Sequence, residues 1–162
     1  MSIAQQLLPE YDHEMANTRQ VLEQIPDDKI DYKAGPSFQS IAWNGSHLAE
    51  IANWTAGVLA QDDWDVRPDG GEPVRTEVLK TREAILVRFD AGVAAGRRAL
   101  EQVNDEDWPK PWSLLDHKQP IFTMPRAAVY RMFIVNHMIH HRSHLIVYLR
   151  LNGITPPPMY GT

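Results

Sequence analysis

Residues 136–145 read NHMIHHRSHL, and this short stretch decides how the rest of the chain is interpreted. It contains four histidines: His137, His140, His141 and His144. Because an α-helix turns about 100° per residue, these imidazoles would lie within an arc of about 100° on one helix face. Apolar neighbours such as Phe133 and Leu149 place much of that face near a core. The stretch therefore predicts a helix with a histidine-rich inner face.

The helix that carries these histidines has clear predicted ends. Pro125 suits the first helical position, because the N–H that proline lacks would be unpaired there anyway. Asn152 and Gly153 are typical of a helix C-terminus. The prolines at 156–158 prevent the helix from continuing. We therefore predict that the fourth and last helix runs from near Pro125 to Asn152.

Three further helices are predicted upstream, where apolar residues recur at steps of three and four. Their predicted ranges are residues 3–25, residues from Ser37 or Ser40 to about 61, and residues from about 73 to 103.

Residues 104–124 break the helical spacing. Trp108, Trp112 and Phe122 in this region predict an ordered crossover before the last helix, because a flexible linker rarely carries such residues. No alternating run of polar and apolar residues predicts a strand, and no repeat is present. We therefore predict an all-α fold, a four-helix bundle in a single domain over residues 1–162. The spacing leaves the order of the helices open.

The composition limits the classes of function. With 16 basic and 21 acidic residues, the net charge is -5, which argues against a nucleic-acid partner. The chain has no cysteine, so disulfides, thiolate metal sites and a cysteine nucleophile of its own are excluded. No apolar stretch is long enough to span a membrane, and the N-terminus lacks the pattern of a secretory signal. We therefore expect a cytoplasmic protein without a membrane partner.

The histidine face has two interpretations. Each histidine could be an ordinary core or surface residue with one donor and one acceptor partner. That interpretation is strained for four on one face, because buried imidazoles need polar partners and repel one another when charged. A metal ion accepts several lone pairs at once, and histidines at i and i+4 can bind one ion. The spacing therefore predicts metal binding, with His137/His141 and His140/His144 as alternative pairs.

A third ligand must come from another helix. His47 lies in the middle of the second predicted helix, where it could reach the level of the histidine face. The site is not that of the HExxH zinc proteases, because Met138 follows His137 where those enzymes have glutamate. Three imidazoles would leave coordination positions open, which is the pattern of a catalytic rather than a structural site.

Three stretches of the chain resemble the DinB/YfiT-like superfamily. Residues 136–153 resemble that family's signature helix, residues 40–49 (SIAWNGSHLA) its first ligand helix, and residues 158–161 (PMYG) its closing segment. The similarity extends over most of the chain. It implies a four-helix bundle with up-down-down-up topology and a long crossover.

The resemblance also selects among the histidines. It implies a metal site formed by His47, His137 and His141, commonly with nickel or zinc and with water in the remaining positions. Characterised relatives include thiol-dependent S-transferases and a mycothiol-dependent isomerase, and dimers are common. We therefore expect a divalent transition metal as cofactor, a small-molecule substrate and a homodimer.

Two residues are candidate catalytic groups. Glu50 lies one turn after His47 and could face the metal, although a solvated helix glutamate is the alternative. This chain has Ser143 and His144 where the family usually has glycine and glutamine, so His144 could be a further ligand, a neighbour of a ligand or a base. Arg142 is expected to be a surface or helix-end charge rather than a catalytic group.

The leading functional hypothesis is metal-assisted transfer of a low-molecular-weight thiol to a small electrophile. Because the chain lacks cysteine, the thiol would have to arrive as a cofactor or substrate. A non-enzymatic metal-binding bundle and a metal-dependent hydrolase that uses bound water are the alternatives.

Overall fold

Helices form most of the ordered secondary structure in the computed structural model, which describes residues 1–160. Gly161 of the closing segment therefore lies outside the described residues. Helices α1, α2 and α3 are followed by a last helix with three stretches: α4, a π-helical turn and α5. The first three helices are α1 (Ile3–Leu22), α2 (Ile41–Ala60) and α3 (Arg82–Gln102). The last helix consists of α4 (Arg126–Val129), the π-helical turn (Tyr130–Asn136) and α5 (His137–Leu151). Short 3-10 turns occur at Asp27–Lys29 and Asp105–Asp107.

The first three helices begin at hydroxyl side chains that cap them. Ser2 forms a capping box with Gln5 at the start of α1. Ser40 accepts a hydrogen bond from the Trp43 N–H at the start of α2. Of the two predicted starts, Ser37 and Ser40, the helix therefore uses Ser40. Thr81 caps α3 in the same way.

The predicted start of the third helix, near residue 73, is wrong. Residues 73–80 are not helical, because their N–H groups bond to other parts of the chain instead of to one another. The Val74 N–H donates to the Val66 carbonyl at 2.8 Å, and the Leu79 N–H donates to the Ser46 hydroxyl at 2.8 Å. These bonds hold the segment alongside α2.

The predicted four helices are present, but the purely helical fold class needs correction, since the segments between them also form a small three-stranded sheet. Its strands are β1 (Asp63–Asp65), β2 (Pro111–Asp116) and β3 (Gln119–Pro125). Strand β1 pairs parallel with β2, and β2 pairs antiparallel with β3. The strands are short, and prolines lie in β2 and β3, so the sequence shows no clear alternating pattern that would predict them.

The turn of the β2–β3 hairpin is stabilised by a tertiary contact. His117 and Lys118 both have positive φ, 49° and 64°, without the Asn-Gly signal that usually predicts such a turn. The Asp65 carboxylate accepts their N–H groups at 3.0 and 2.8 Å. The same carboxylate accepts the Arg67 N–H at 2.9 Å, so one side chain ties the hairpin to the chain after β1.

The main helices pack in a closed ring. Helix α2 packs against α3 and α5, and α1 packs against the same two helices from the opposite side. Buried side chains such as Ile51, Phe89 and Leu145 fill the interior. No described helix has both the length and the apolarity needed to cross a bilayer. The up-down-down-up order, the homodimer and the cytoplasmic location stay predictions.

Arg142 is buried, so the expectation of a surface charge is wrong. Its guanidinium lies 2.7 Å from the Glu14 carboxylate, and both side chains are almost fully buried. It also donates to the Thr18 hydroxyl and to the Tyr160 hydroxyl, which in turn donates to Glu14. The network joins α5, α1 and the C-terminal segment, and its mutual hydrogen bonds offset the cost of burying two charges.

Close contact between α2 and α3 depends on Gly92. A Cβ at this position would lie 2.8 Å from the backbone nitrogen of Asn53, so the helices would have to separate. We expect Gly92→Ala to lower the free energy of unfolding by roughly 1–3 kcal/mol, measured by urea denaturation. Gly57→Ala in α2 is the matched control, because a Cβ there meets no atom within 4 Å. It should be neutral or stabilising, by up to about 1 kcal/mol, and equal destabilisation of both variants would contradict the packing argument.

Candidate metal centre

Three histidines from two helices meet inside the bundle. His47 comes from α2, and His137 and His141 come from successive turns of α5. Each offers a ring nitrogen, and the three nitrogens lie within 4.8 Å of one another. The Nε2 atoms of His47 and His137 are 3.4 Å apart. The structure thus brings together the three histidines that the family resemblance selected.

The geometry of the three rings suits one transition-metal ion. Metal–imidazole bonds are about 2.0–2.1 Å long, so nitrogens on one ion are expected roughly 3–3.5 Å apart. The ring centroids are 4.5 Å apart for His47 and His141, 4.7 Å for His137 and His141, and 5.1 Å for His47 and His137. The three rings are therefore close to the separation that a shared ion requires. The buried Nδ1 of His141 has no hydrogen-bond partner among the described residues. These three residues could therefore hold a divalent ion.

Two of the three imidazoles, those of His137 and His141, are kept in the neutral form that binds metal. Burial, followed by the nearby His47, lowers the pKa of His137 to about 4. Burial and then the neighbouring histidines, His47 first, lower the pKa of His141 to about 3. Both rings are therefore neutral at physiological pH, with a nitrogen lone pair available.

A π-helical turn directly precedes His137. A π-helix bonds residue i to i+5 and so holds more residues per turn than an α-helix. Phe133 within the turn lines one cavity together with Val129 before it and His137 after it. No sequence pattern indicated this turn.

Two tryptophans flank the histidines. Trp43 stacks on the His47 ring with centroids 4.6 Å apart, and Trp54 meets the same ring edge-on at 5.4 Å. Trp54 also lies 5.7 Å from His137. Both indoles are half-buried and reduce the access of water to the site.

Glu50 orients His47. Its Oε2 lies 3.3 Å from the His47 Nδ1, and the Thr76 hydroxyl, 3.1 Å from the same nitrogen, donates to that carboxylate at 2.7 Å. Burial would raise the pKa of Glu50, but hydrogen bonds from His47, from Thr76 and from the Glu77 N–H lower it below its usual value. An ionised Glu50 favours the proton on Nδ1, which leaves the Nε2 of His47 free to bind.

Thr76 was missed in the sequence. It lies in the segment that was predicted to begin the third helix, and a single threonine carries no signal that it will contact a histidine 29 positions away.

The other histidines on α5 lie outside the group of three. His140 and His144 are exposed, with ring centroids 4.3 Å apart, and His144 is 5.5 Å from the His141 ring. Burial and the nearby His140 lower the pKa of His144. Of the four described histidines on α5, only His137 lines the cavity. The role of His144 as a further ligand or base stays a prediction.

A cavity of about 510 Å³ adjoins the histidines. His47 and His137 form part of its lining, together with Glu50 and Thr76, which both contact His47. Most of the remaining lining is apolar or aromatic and comes from the sheet, from α2 and from the π-helical turn. A small molecule in this cavity would lie next to the candidate metal centre.

Comparisons with known proteins agree with the fold. A sequence model of the DinB family matches residues 1–162, so the chain belongs to the DinB family. A DinB-like protein from Bacillus cereus ATCC 10987 has a similar structure, with a TM-score of 0.72 and 20% sequence identity over 95% of each chain. The DinB-like protein YjoA from Bacillus subtilis gives a TM-score of 0.71 and 20% identity over 96% of each chain. A search of curated proteins found no match.

Loss of the Glu50 carboxylate should weaken metal binding. We expect Glu50→Gln to reduce the affinity for Zn²⁺ by about 10- to 100-fold, because the acceptor that orients His47 loses its charge. A competition titration against a chromophoric chelator measures this change. Glu72→Gln is the control, since Glu72 is exposed and pairs with Arg75 at the surface. Equal affinity of Glu50→Gln and the wild type would contradict the assigned role.

Acid should destabilise the metal-free protein through the buried histidines. The pKa values of His137 and His141, about 4 and about 3, lie below the ordinary value of 6.5. The unfolded chain therefore binds more protons, and stability that is complete above pH 6.5 is lost as the pH falls toward these values. We expect a loss of roughly 1–2 kcal/mol per histidine between pH 7 and 5, measured by urea unfolding after chelation. His141→Gln should lose less, and a pH dependence identical to the wild type would count against the buried neutral form.

Proposed function

We propose that this DinB family member binds one divalent ion, nickel or zinc, through His47, His137 and His141 and transfers a low-molecular-weight thiol to a small electrophile. The observation that carries the proposal is the meeting of three imidazoles, of which His47 and His137 line a ligand-sized cavity. Burial keeps His137 and His141 neutral. A purely structural ion would not need that cavity beside it.

The ion would supply Lewis-acid chemistry, since coordination to a divalent metal deprotonates a thiol and lowers the pKa of water toward neutrality. Three imidazole ligands leave positions for such a molecule. The chain itself contains no cysteine, so the sulfur must come from a second substrate. This supports a reaction that joins two small molecules.

The chain's own residues orient the reactants and handle the proton. In the proposed step, the thiol sulfur forms a bond to the electrophilic carbon, and the leaving group departs with its electron pair. Glu50 lines the cavity and is ionised, whereas His144 does not line it, so we assign the thiol proton to Glu50. Trp43 and Trp54 limit competing attack by water.

A hydrolase with the same ligands is the second candidate. It would use a water molecule in place of the thiol, with Glu50 as its base. Dependence on added thiol separates the two reactions, because hydrolysis needs none.

The wild type should contain about one nickel or zinc ion per chain by elemental analysis. It should also accelerate the reaction of monochlorobimane with cysteine, glutathione or coenzyme A. His141→Ala should lose most of its metal and its activity, because two imidazoles remain where three bound the ion. His140→Ala is the matched control, since His140 lies on the same helix outside the group of three, and it should keep both.

Each failure of this experiment has a defined meaning. Metal content that is equal in His141→Ala and the wild type would overturn the metal site. Bound metal with no acceleration by any thiol would overturn the transferase proposal. Circular dichroism of each variant separates loss of the site from loss of the fold.

A further inference from the structure

We propose that the cavity beside the three histidines selects a flat, apolar molecule that carries one anionic group, and that Arg88 binds the anion. The inference rests on the proposed function only where it identifies the bound molecule as the electrophile of the thiol transfer. The cavity and its charges support the ligand class independently of the reaction.

One wall of the cavity is aromatic and comes mainly from the sheet. Trp64 of β1, Trp112 of β2 and Phe122 of β3 all line it. Phe122 stacks on Phe133 of the π-helical turn, with centroids 4.7 Å apart and planes at 18°. Aromatic faces of this kind favour a flat apolar partner, because such a partner can stack on them while leaving water.

The lining of the cavity also includes polar and positively charged side chains. Arg75 and Arg88 line the cavity together with Asn53, Glu50 and Thr76. Glu50 is the one carboxylate among the described lining residues, and it already accepts hydrogen bonds from Thr76 and the Glu77 N–H and contacts His47. A cationic ligand would therefore find no free carboxylate, whereas an anion would find guanidinium groups.

Arg88 is better placed than Arg75 to bind that anion. The Arg88 side chain is 32% exposed and that of Arg75 is 78% exposed. Arg88 pairs with Glu77, whose side chain is 71% exposed. A surface ion pair of this kind contributes little free energy, because water screens it, so a ligand carboxylate or sulfonate can replace Glu77.

The size of the cavity agrees with one small molecule. Its volume of about 510 Å³ lies within the range of roughly 300–1,000 Å³ that is usual for ligand sites. His47 and His137 line the same space, so a ligand anchored at Arg88 would have its apolar body along the aromatic wall and beside the metal ligands.

Two fluorescent probes with the same ring skeleton test this inference. Anilinonaphthalene sulfonate carries an anionic group, and phenylnaphthylamine lacks it. Both should bind the full-length, metal-loaded protein, with a rise in probe fluorescence. Arg88→Met should weaken the sulfonate probe by about three- to tenfold and leave the uncharged probe unchanged, because only the charge contact is lost. Arg98→Met, an exposed arginine on the same helix outside the cavity lining, is the control and should change neither.

Phe122→Ala tests the aromatic wall and should weaken both probes by a similar factor. Equal effects of Arg88→Met and Arg98→Met on the sulfonate probe would overturn the role of Arg88. Binding of neither probe by the folded wild type would overturn the ligand class, even if thiol transfer is observed. Probe selectivity as expected, without any thiol transfer, would support the ligand class and overturn the transferase proposal instead.

Discussion

The packing of α2 against α5 is the constraint on which the site depends. Met138 and Leu145 on α5 and Leu48 on α2 are fully buried, and they alternate along their helices with the histidines. The same contact that removes these side chains from water therefore brings His47 to the level of His137 and His141. Helix packing tolerates little sliding, because side chains interdigitate at close-packed density. The packing of the apolar core therefore determines the position of the three imidazoles.

Much of this arrangement could be predicted because the spacing of apolar residues along the sequence indicates helices. The histidine face on the last helix follows from a turn of about 100° per residue, and Ser40 is a strong capping residue in any sequence. The match between His47 and the last helix could not be read from spacing. It needed the resemblance to the DinB/YfiT-like superfamily, which the family match now confirms.

The features that were missed depend on contacts between distant parts of the chain. Residues 73–80 have a helical apolar pattern, yet their N–H groups bond to Ser46, to Glu50 and to the chain after β1. The hairpin turn at His117 and Lys118 lacks a glycine and depends on the Asp65 carboxylate. Arg142 looked like a surface charge because its partner, Glu14, lies 128 positions earlier. Local sequence carries no record of such partners.

The small sheet has a consequence for how the protein can change. The candidate metal ligands lie on α2 and α5, whereas much of the aromatic wall lies on strands from two other segments of the chain. A substitution at Trp64 or Phe122 alters the shape offered to a ligand without touching a ligand of the ion. Hydrogen bonds to Asp65 connect the hairpin to the chain after β1. Evolution can thus diversify what the protein accepts while the chemistry of its histidines is inherited intact.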